Sequence, residues 1–231
     1  MKQNFLIVPL FVACSSYPPR DAALTALESS DITTVTTQDK WISFVPVEPT
    51  SNIGFVFYPG GKVEAEAYAP VLRSLADSGI STYLLYVPRD LAILNSDAAE
   101  KVMDEVDMDG WVVSGHSLGG VTAAKMASED ERIFGLSLWA SYPAGSVDLS
   151  EASIITQSIT GSADTVLNWE NYEARAEQLP ADTEWISIEG GNHAQFGDYG
   201  VQDGDGDASI SPETQWGYTT DSVLSLFDQL N

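Results

Sequence analysis

One cysteine, two histidines and ten basic residues in 231 positions set the first limits on this chain. Cys14 has no partner for an internal disulfide, so the fold is not a disulfide-stapled scaffold. Ten Lys and Arg stand against 34 Asp and Glu, a formal charge of −24. That balance repels phosphate backbones and anionic lipid head groups and argues against nucleic acid as a partner. It also keeps a protein soluble by self-repulsion and suits a salty medium, where the repulsion is screened. No internal repeat is present. Beyond the first residues no segment is long and apolar enough for a transmembrane helix.

What is there begins with "MKQNFLIVPLFVACSSYPP". Lys2 precedes the apolar run Phe5 to Ala13, which is too short to span a bilayer and of the right length for a secretory signal. Phe11-Val12-Ala13-Cys14 is similar to a bacterial lipobox, with Phe11 where leucine is usual. Residues 1–13 are therefore expected to be a signal peptide of lipoprotein type, with Cys14 lipidated. This predicts an exported protein whose only membrane attachment is an N-terminal lipid anchor. Residues 14–30 read as a polar tether and 31–231 as one domain, for which a 44% hydrophobic content supplies a substantial core.

Within that domain, β-compatible and helix-compatible segments take turns. "KWISFVPV", "NIGFVFYPGG", "ISTYLLYVP", "WVVS", "IFGLSLWASYP", "ASIITQSITG" and "TEWISIEGG" read as strands. In "VEAEAYAPVLRSLADSG" the positions Tyr68, Val71, Leu72 and Leu75 repeat at helical spacing, and Gly79 ends the run. "SDAAEKVMDEV" and "WENYEARAEQL" are further helices, and "SPETQWGYTTDSVLSLFDQL" is one broken helix or two. Such alternation implies a mostly parallel sheet covered on both faces, with functional groups on loops at the carboxyl ends of the strands.

The chemistry centres on "WVVSGHSLGG", where a strand runs into Gly-His-Ser-Leu-Gly and then a helix. A serine hydroxyl is a weak nucleophile until a base takes its proton and a third group orients that base. For Ser117 the base is His193 in "GGNHAQFGDYG", because His116 is its immediate neighbour and points elsewhere at a sharp turn. Asp164 in "ITGSADTV" best fits the orienting acid in the order Ser, Asp, His. Glu170 and Asp182 are weaker alternatives, placed at a helix start and at the far end of a strand. The backbone N–H of Leu118 and one from the "YPGGKV" loop, at Gly61 or Lys62, would bind the oxyanion.

"GFVFYPGGKVEAEAYAP", "YVPRDLAIL", "SGHSLGG", "LWASYP", "ITGSADTV" and "GGNHAQFGDYG", together spanning about Ile53 to Gly200, resemble the α/β-hydrolases, and more closely a compact bacterial group of esterase or dienelactone-hydrolase type. The resemblance implies an α/β-hydrolase fold, a Ser117, Asp164, His193 triad, and serine hydrolysis of an ester or related acyl bond without a cofactor. Transfer of the acyl group to an alcohol uses the same residues, and a non-catalytic surface binding protein would keep the same fold. One departure is Tyr58-Pro59-Gly60-Gly61, which lacks the usual His-Gly start of the oxyanion loop.

His116, Trp139 and Tyr142 are candidate pocket residues, with Ser141 beside them; for Trp139 a packed aromatic is the plainer reading. "DYGVQDGDGDASIS" sets Asp203, Asp205 and Asp207 at the first, third and fifth positions of a calcium loop. Ala208 stands where that loop needs glycine and Thr214 where it needs glutamate, Glu213 falling one residue early, so a solvated turn is the plainer reading and no metal is expected. The connection from Trp139 to Ile154 is too short for a lid domain, which points to an open or shallow site and a small soluble substrate.

Overall fold

The computed structural model describes residues 16–230; the signal-peptide reading of residues 1–13 and the lipidation of Cys14 lie outside the described residues. An eight-stranded sheet runs through the domain. Its strands are β1 (Thr33–Thr37), β2 (Trp41–Pro46), β3 (Ile53–Tyr58), β4 (Thr82–Leu85), β5 (Gly110–His116), β6 (Ile133–Trp139), β7 (Ile155–Gly161) and β8 (Glu184–Ile188), in the spatial order β1-β2-β4-β3-β5-β6-β7-β8. Strands β1 and β2 pair antiparallel, as do β2 and β4, and every pairing from β4 to β8 is parallel. Among the described residues six α-helices accompany the sheet: α1 (Asp21–Ala26), α2 (Ala69–Asp77), α3 (Ala98–Glu105), α4 (Leu118–Ala127), α5 (Trp169–Ala174) and α6 (Pro212–Leu230).

The strand alternation divides the core in two. Ile53, Phe55 and Phe57 of β3 join one buried cluster, with Val71, Leu72 and Leu75 of α2 and Val223, Leu226 and Phe227 of α6. Val56 and Tyr58, one residue out of phase, join the other, with Val102 and Met103 of α3 and Ala123 and Ala124 of α4. A central parallel strand must be apolar on both faces, and all six residues of β3 are buried. The helical spacing read at Tyr68, Val71, Leu72 and Leu75 forms a single-turn 3₁₀ entry (Ala65–Tyr68) followed by α2, with Pro70 in the first helical turn. Gly79, at φ +99°, ends that segment. The C-terminal segment is one continuous helix through Gly217, where nothing crowds the missing Cβ.

The polar tether expected before residue 31 is a packed element. Ala23, Ala26 and Leu27 recur at i, i+3 and i+4 on a run that is polar in bulk composition, and this stripe lies on the core. Tyr17 forms an isolated parallel bridge with Val63, donating its N–H to Lys62 and accepting from Glu64. Asp198 accepts the N–H of Arg20 through its carbonyl and that of Ala23 through its carboxylate. Among the described residues no helix is long and apolar enough to cross a membrane.

Deleting residues 1–30 is expected to lower stability by about 2 kcal/mol or more, the order of one well-buried large side chain. For a domain of this size that is a drop of roughly 4–8 °C in Tm. An unchanged thermal melt would show that the segment is only a tether.

Candidate active site

The turn between β5 and α4 is strained by design. Ser117 sits at φ 51° and ψ −120°, a conformation that side chains avoid, and three glycines make it possible. A Cβ on Gly115 would lie 2.4 Å from the backbone of Gly119, one on Gly119 would lie 2.2 Å from the carbonyl oxygen of Tyr58, and one on Gly120 would lie 2.5 Å from Ser141. Two further bonds hold the turn: the Ser117 N–H donates to Trp139 O at 2.9 Å, and the Ser141 hydroxyl donates to Ser117 O at 2.7 Å. Leu118 is the first residue of α4, so its N–H has no acceptor within the helix and is free for a ligand.

His193 follows β8 and Asp164 follows β7. Their contact is direct: His193 Nδ1 lies 2.8 Å from Asp164 Oδ2, and both side chains are all but fully buried. The second oxygen of Asp164 accepts the N–H groups of Val166 at 2.9 Å and Leu167 at 2.8 Å, which fixes the carboxylate plane. An acceptor on Nδ1 places the imidazole proton there and leaves Nε2 as the basic atom. Nε2 is buried and has no hydrogen-bond partner. The alternatives Glu170 and Asp182 are not the residues that meet this imidazole.

Ser117 and His193 line one cleft of about 220 Å³, with Leu118, Val121, Ser141, Tyr142, Val166 and Leu167 among its walls. Tyr142, a candidate pocket residue, is among those walls. Trp139 is not: it is fully buried, its Nε1 donates to Ser137 Oγ at 2.9 Å, and its ring centroid lies 4.5 Å from that of Phe57. His116 is also absent from the cleft wall. Its ring packs on His193 with centroids 4.4 Å apart, and its Nδ1 lies 2.8 Å from the hydroxyl of Tyr68.

Tyr68 had no functional signal in the sequence beyond its place on a helical stripe. Its hydroxyl accepts the Gly60 N–H at 3.0 Å and shares a second hydrogen bond with His116 Nδ1. Burial pushes the pKa of the Tyr68 hydroxyl far above its ordinary value, so it stays protonated. The His116 pKa is held well below its ordinary value, first by burial and then by the adjacent His193, with only partial relief from the His193 backbone.

The loop after β3 distinguishes its two candidate N–H groups by their hydrogen bonds. The Lys62 N–H is committed to Asp90 O at 2.7 Å, at φ 63°, which removes it as the second donor. Gly60 is committed to Tyr68, which leaves the N–H of Gly61. Gly61 lies against Leu118, since a Cβ there would be 3.1 Å from the leucine Cδ2. The two candidate donors, Leu118 and Gly61, therefore lie side by side.

Asp203, Asp205 and Asp207 do not form a calcium loop. Among the described residues no group of three or more His, Cys, Asp or Glu side chains is gathered to hold a metal. The carboxylate of Asp205 is instead filled by backbone N–H groups, including that of Ala194 at 2.8 Å.

A parallel sheet with a strained serine between strand and helix, an acid and a histidine after later strands, and no inserted lid defines the nucleophile-elbow class of α/β proteins. The chain belongs to the alpha/beta hydrolase family, whose model matches residues 54–217. No curated protein matches the sequence. Among solved structures, the mouse alpha/beta hydrolase domain-containing protein 10 superposes with a TM-score of 0.59 at 13% identity, over 88% of this chain and 100% of its own. TT1662 from Thermus thermophilus gives 0.61 at 14%, over 85% and 97%. A predicted CIB-like hydrolase from Thermoplasma acidophilum gives 0.60 at 14%, over 83% and 98%. At such identities the likeness is one of fold.

The buried His116 generates a pH prediction. Unfolded, it takes up a proton near pH 6.5; folded, its pKa is depressed, so below that pH the unfolded state binds the extra proton. Its contribution to stability is thus lost as pH falls, at up to about 1.4 kcal/mol per pH unit. Urea melts between about pH 5 and pH 7 should show a shallower acid limb for His116→Gln than for the parent. Identical limbs would mean that the folded protein protonates His116 freely.

Proposed function

We propose that this protein is a serine hydrolase that cleaves a carboxylic ester, or a related acyl bond, of a small soluble substrate through an acyl-enzyme. The observation that carries the reading is the pairing of a strained Ser117 with a His193–Asp164 couple on the same cleft. Ser117 Oγ attacks the substrate carbonyl while His193 Nε2 takes its proton. Asp164 holds the imidazole and stabilises the imidazolium that forms. The N–H groups of Leu118 and Gly61 receive the developing oxyanion. As the tetrahedral intermediate collapses, His193 protonates the departing alcohol. Water then attacks the acyl carbonyl as His193 takes its proton, and collapse of the second tetrahedral intermediate expels Ser117 Oγ, which recovers the proton from His193 as the acid leaves.

The cleft argues for the size of the acyl group. About 220 Å³ walled by Leu118, Val121, Val166 and Leu167 suits a short apolar chain and not a long lipid tail. The N-terminal sequence extends the proposal to location: an exported domain, lipid-anchored through Cys14 and facing away from the cytoplasm.

A fluorophosphonate probe should label the parent and neither Ser117→Ala nor His193→Ala. Hydrolysis of p-nitrophenyl esters should favour acetate and butyrate over long chains, and Asp164→Asn should lower kcat by about 10⁴ through the wrong imidazole tautomer. A folded parent that neither labels nor hydrolyses would favour the non-catalytic binding reading. Acyl products formed with an added alcohol in place of free acid would favour transfer.

A further inference from the structure

The acidic turn at residues 203–207 carries no metal group, yet it touches both loops that hold the acid and the base. Asp205 is the centre of these contacts. Its Oδ2 accepts the N–H of Ala194, the residue after His193, at 2.8 Å. Its Oδ1 accepts the N–H of Thr165, the residue after Asp164, at 3.4 Å, and that of Gly206 at 2.8 Å. The same carboxylate therefore bridges the two triad loops.

The neighbouring residues of the turn repeat the pattern. Thr165 donates its hydroxyl to Gly204 O at 2.8 Å on the acid side, and Asn192, the residue before His193, donates to Gly206 O at 2.8 Å on the base side. Gly206 lies so close to the acid loop that a Cβ would stand 2.0 Å from the carbonyl oxygen of Ala163. Gly204, at φ +85°, turns the chain where a side chain would be strained. Both glycines of Asp-Gly-Asp-Gly-Asp are thus accounted for by geometry, and Asp205 is the aspartate whose carboxylate is used.

We infer that Asp205 is a positioning residue: it locks the Asp164 loop and the His193 loop in one register so that the hydrogen bond between acid and base is kept as charge develops on the imidazole. The inference rests on the serine-hydrolase reading of the triad. A carboxylate is required, because an amide offers one acceptor oxygen and would turn its NH₂ toward one of the donors. Charge-assisted bonds to backbone N–H groups are also stronger than neutral ones. Displacements on the order of 1 Å at a catalytic base cost about 10²-fold in rate.

The test compares steady-state hydrolysis of p-nitrophenyl acetate, fluorophosphonate labelling rates and thermal melts for the parent, Asp205→Asn, His193→Ala and the double variant. Asp205→Asn should lower kcat and the labelling rate by about 10- to 100-fold with KM within about twofold. In the His193→Ala background the same change should have no further effect on residual hydrolysis, because there is no base left to position. A loss that persists in that background, or that appears in KM alone, would make Asp205 a general structural residue and overturn the inference. So would an unchanged kcat. If Asp205→Asn does not fold, Thr165→Val, which removes the bond to Gly204 and keeps its own N–H, is read in the same way with a several-fold drop expected. Failure of the parent itself to label and hydrolyse is a separate outcome: it would overturn the serine-hydrolase reading, and this inference with it.

Discussion

The geometry of this protein depends on one strained residue. Holding Ser117 at positive φ costs of the order of 1–3 kcal/mol, and the rest of the elbow exists to hold it there. Gly115, Gly119 and Gly120 allow β5, α4 and the loop after β3 to approach to distances that a methyl group would forbid. Because the strand turns straight into the helix, Leu118 becomes a first-turn residue with an unpaired N–H beside the serine. The same close packing brings Gly61 against Leu118. The strained serine and the two candidate oxyanion donors are thus consequences of a single steric arrangement.

The two histidines show how environment divides identical side chains between roles. His193 faces a carboxylate that fixes its tautomer, whereas His116 meets a tyrosine hydroxyl and no carboxylate, and burial together with the adjacent His193 disfavours its charge. Their rings lie 4.4 Å apart, so two imidazolium ions there would repel strongly. In the proposed mechanism a neutral His116 would let the adjacent ring take up a proton without that repulsion. Through Tyr68 and Gly60, His116 also ties the oxyanion loop to the wall behind the base. This chain of contacts joins residues from β5, the entry to α2 and the loop after β3.

The parts legible in the sequence were those written as local pattern or chain order. The alternation of apolar runs exposed the parallel strands, the Gly-x-Ser-x-Gly-Gly run exposed the elbow, and the scarcity of histidine left His193 as the base. Asp164 followed from its position after a strand. Long-range hydrogen bonds leave no such trace. Tyr68 looks like any stripe residue of α2, and only the fold brings it to His116. Composition misled before residue 31, where the polar bulk of residues 17–30 hid the stripe of Ala23, Ala26 and Leu27. The alternating aspartates read more plainly as a turn than as a cation loop, but the pattern did not disclose that peptide N–H groups fill the Asp205 carboxylate. Which N–H of the Gly61-Lys62 pair is free depends on a bond to Asp90, 28 residues away in sequence, which no local pattern encodes.

The cleft and the triad share material. Val166 and Leu167 donate the two N–H groups that fix Asp164, and their side chains line the cavity in which a substrate would lie. A bulky group pressed against these side chains would push on the backbone that orients the acid, and the acid in turn orients His193. On the proposed hydrolase reading, shape selection and alignment of the base would be coupled through two consecutive residues. A short acyl chain would fit without displacing them, whereas a longer one would have to move the loop that holds Asp164. A preference for small substrates would then follow from how the acid is held as well as from the volume of the cavity.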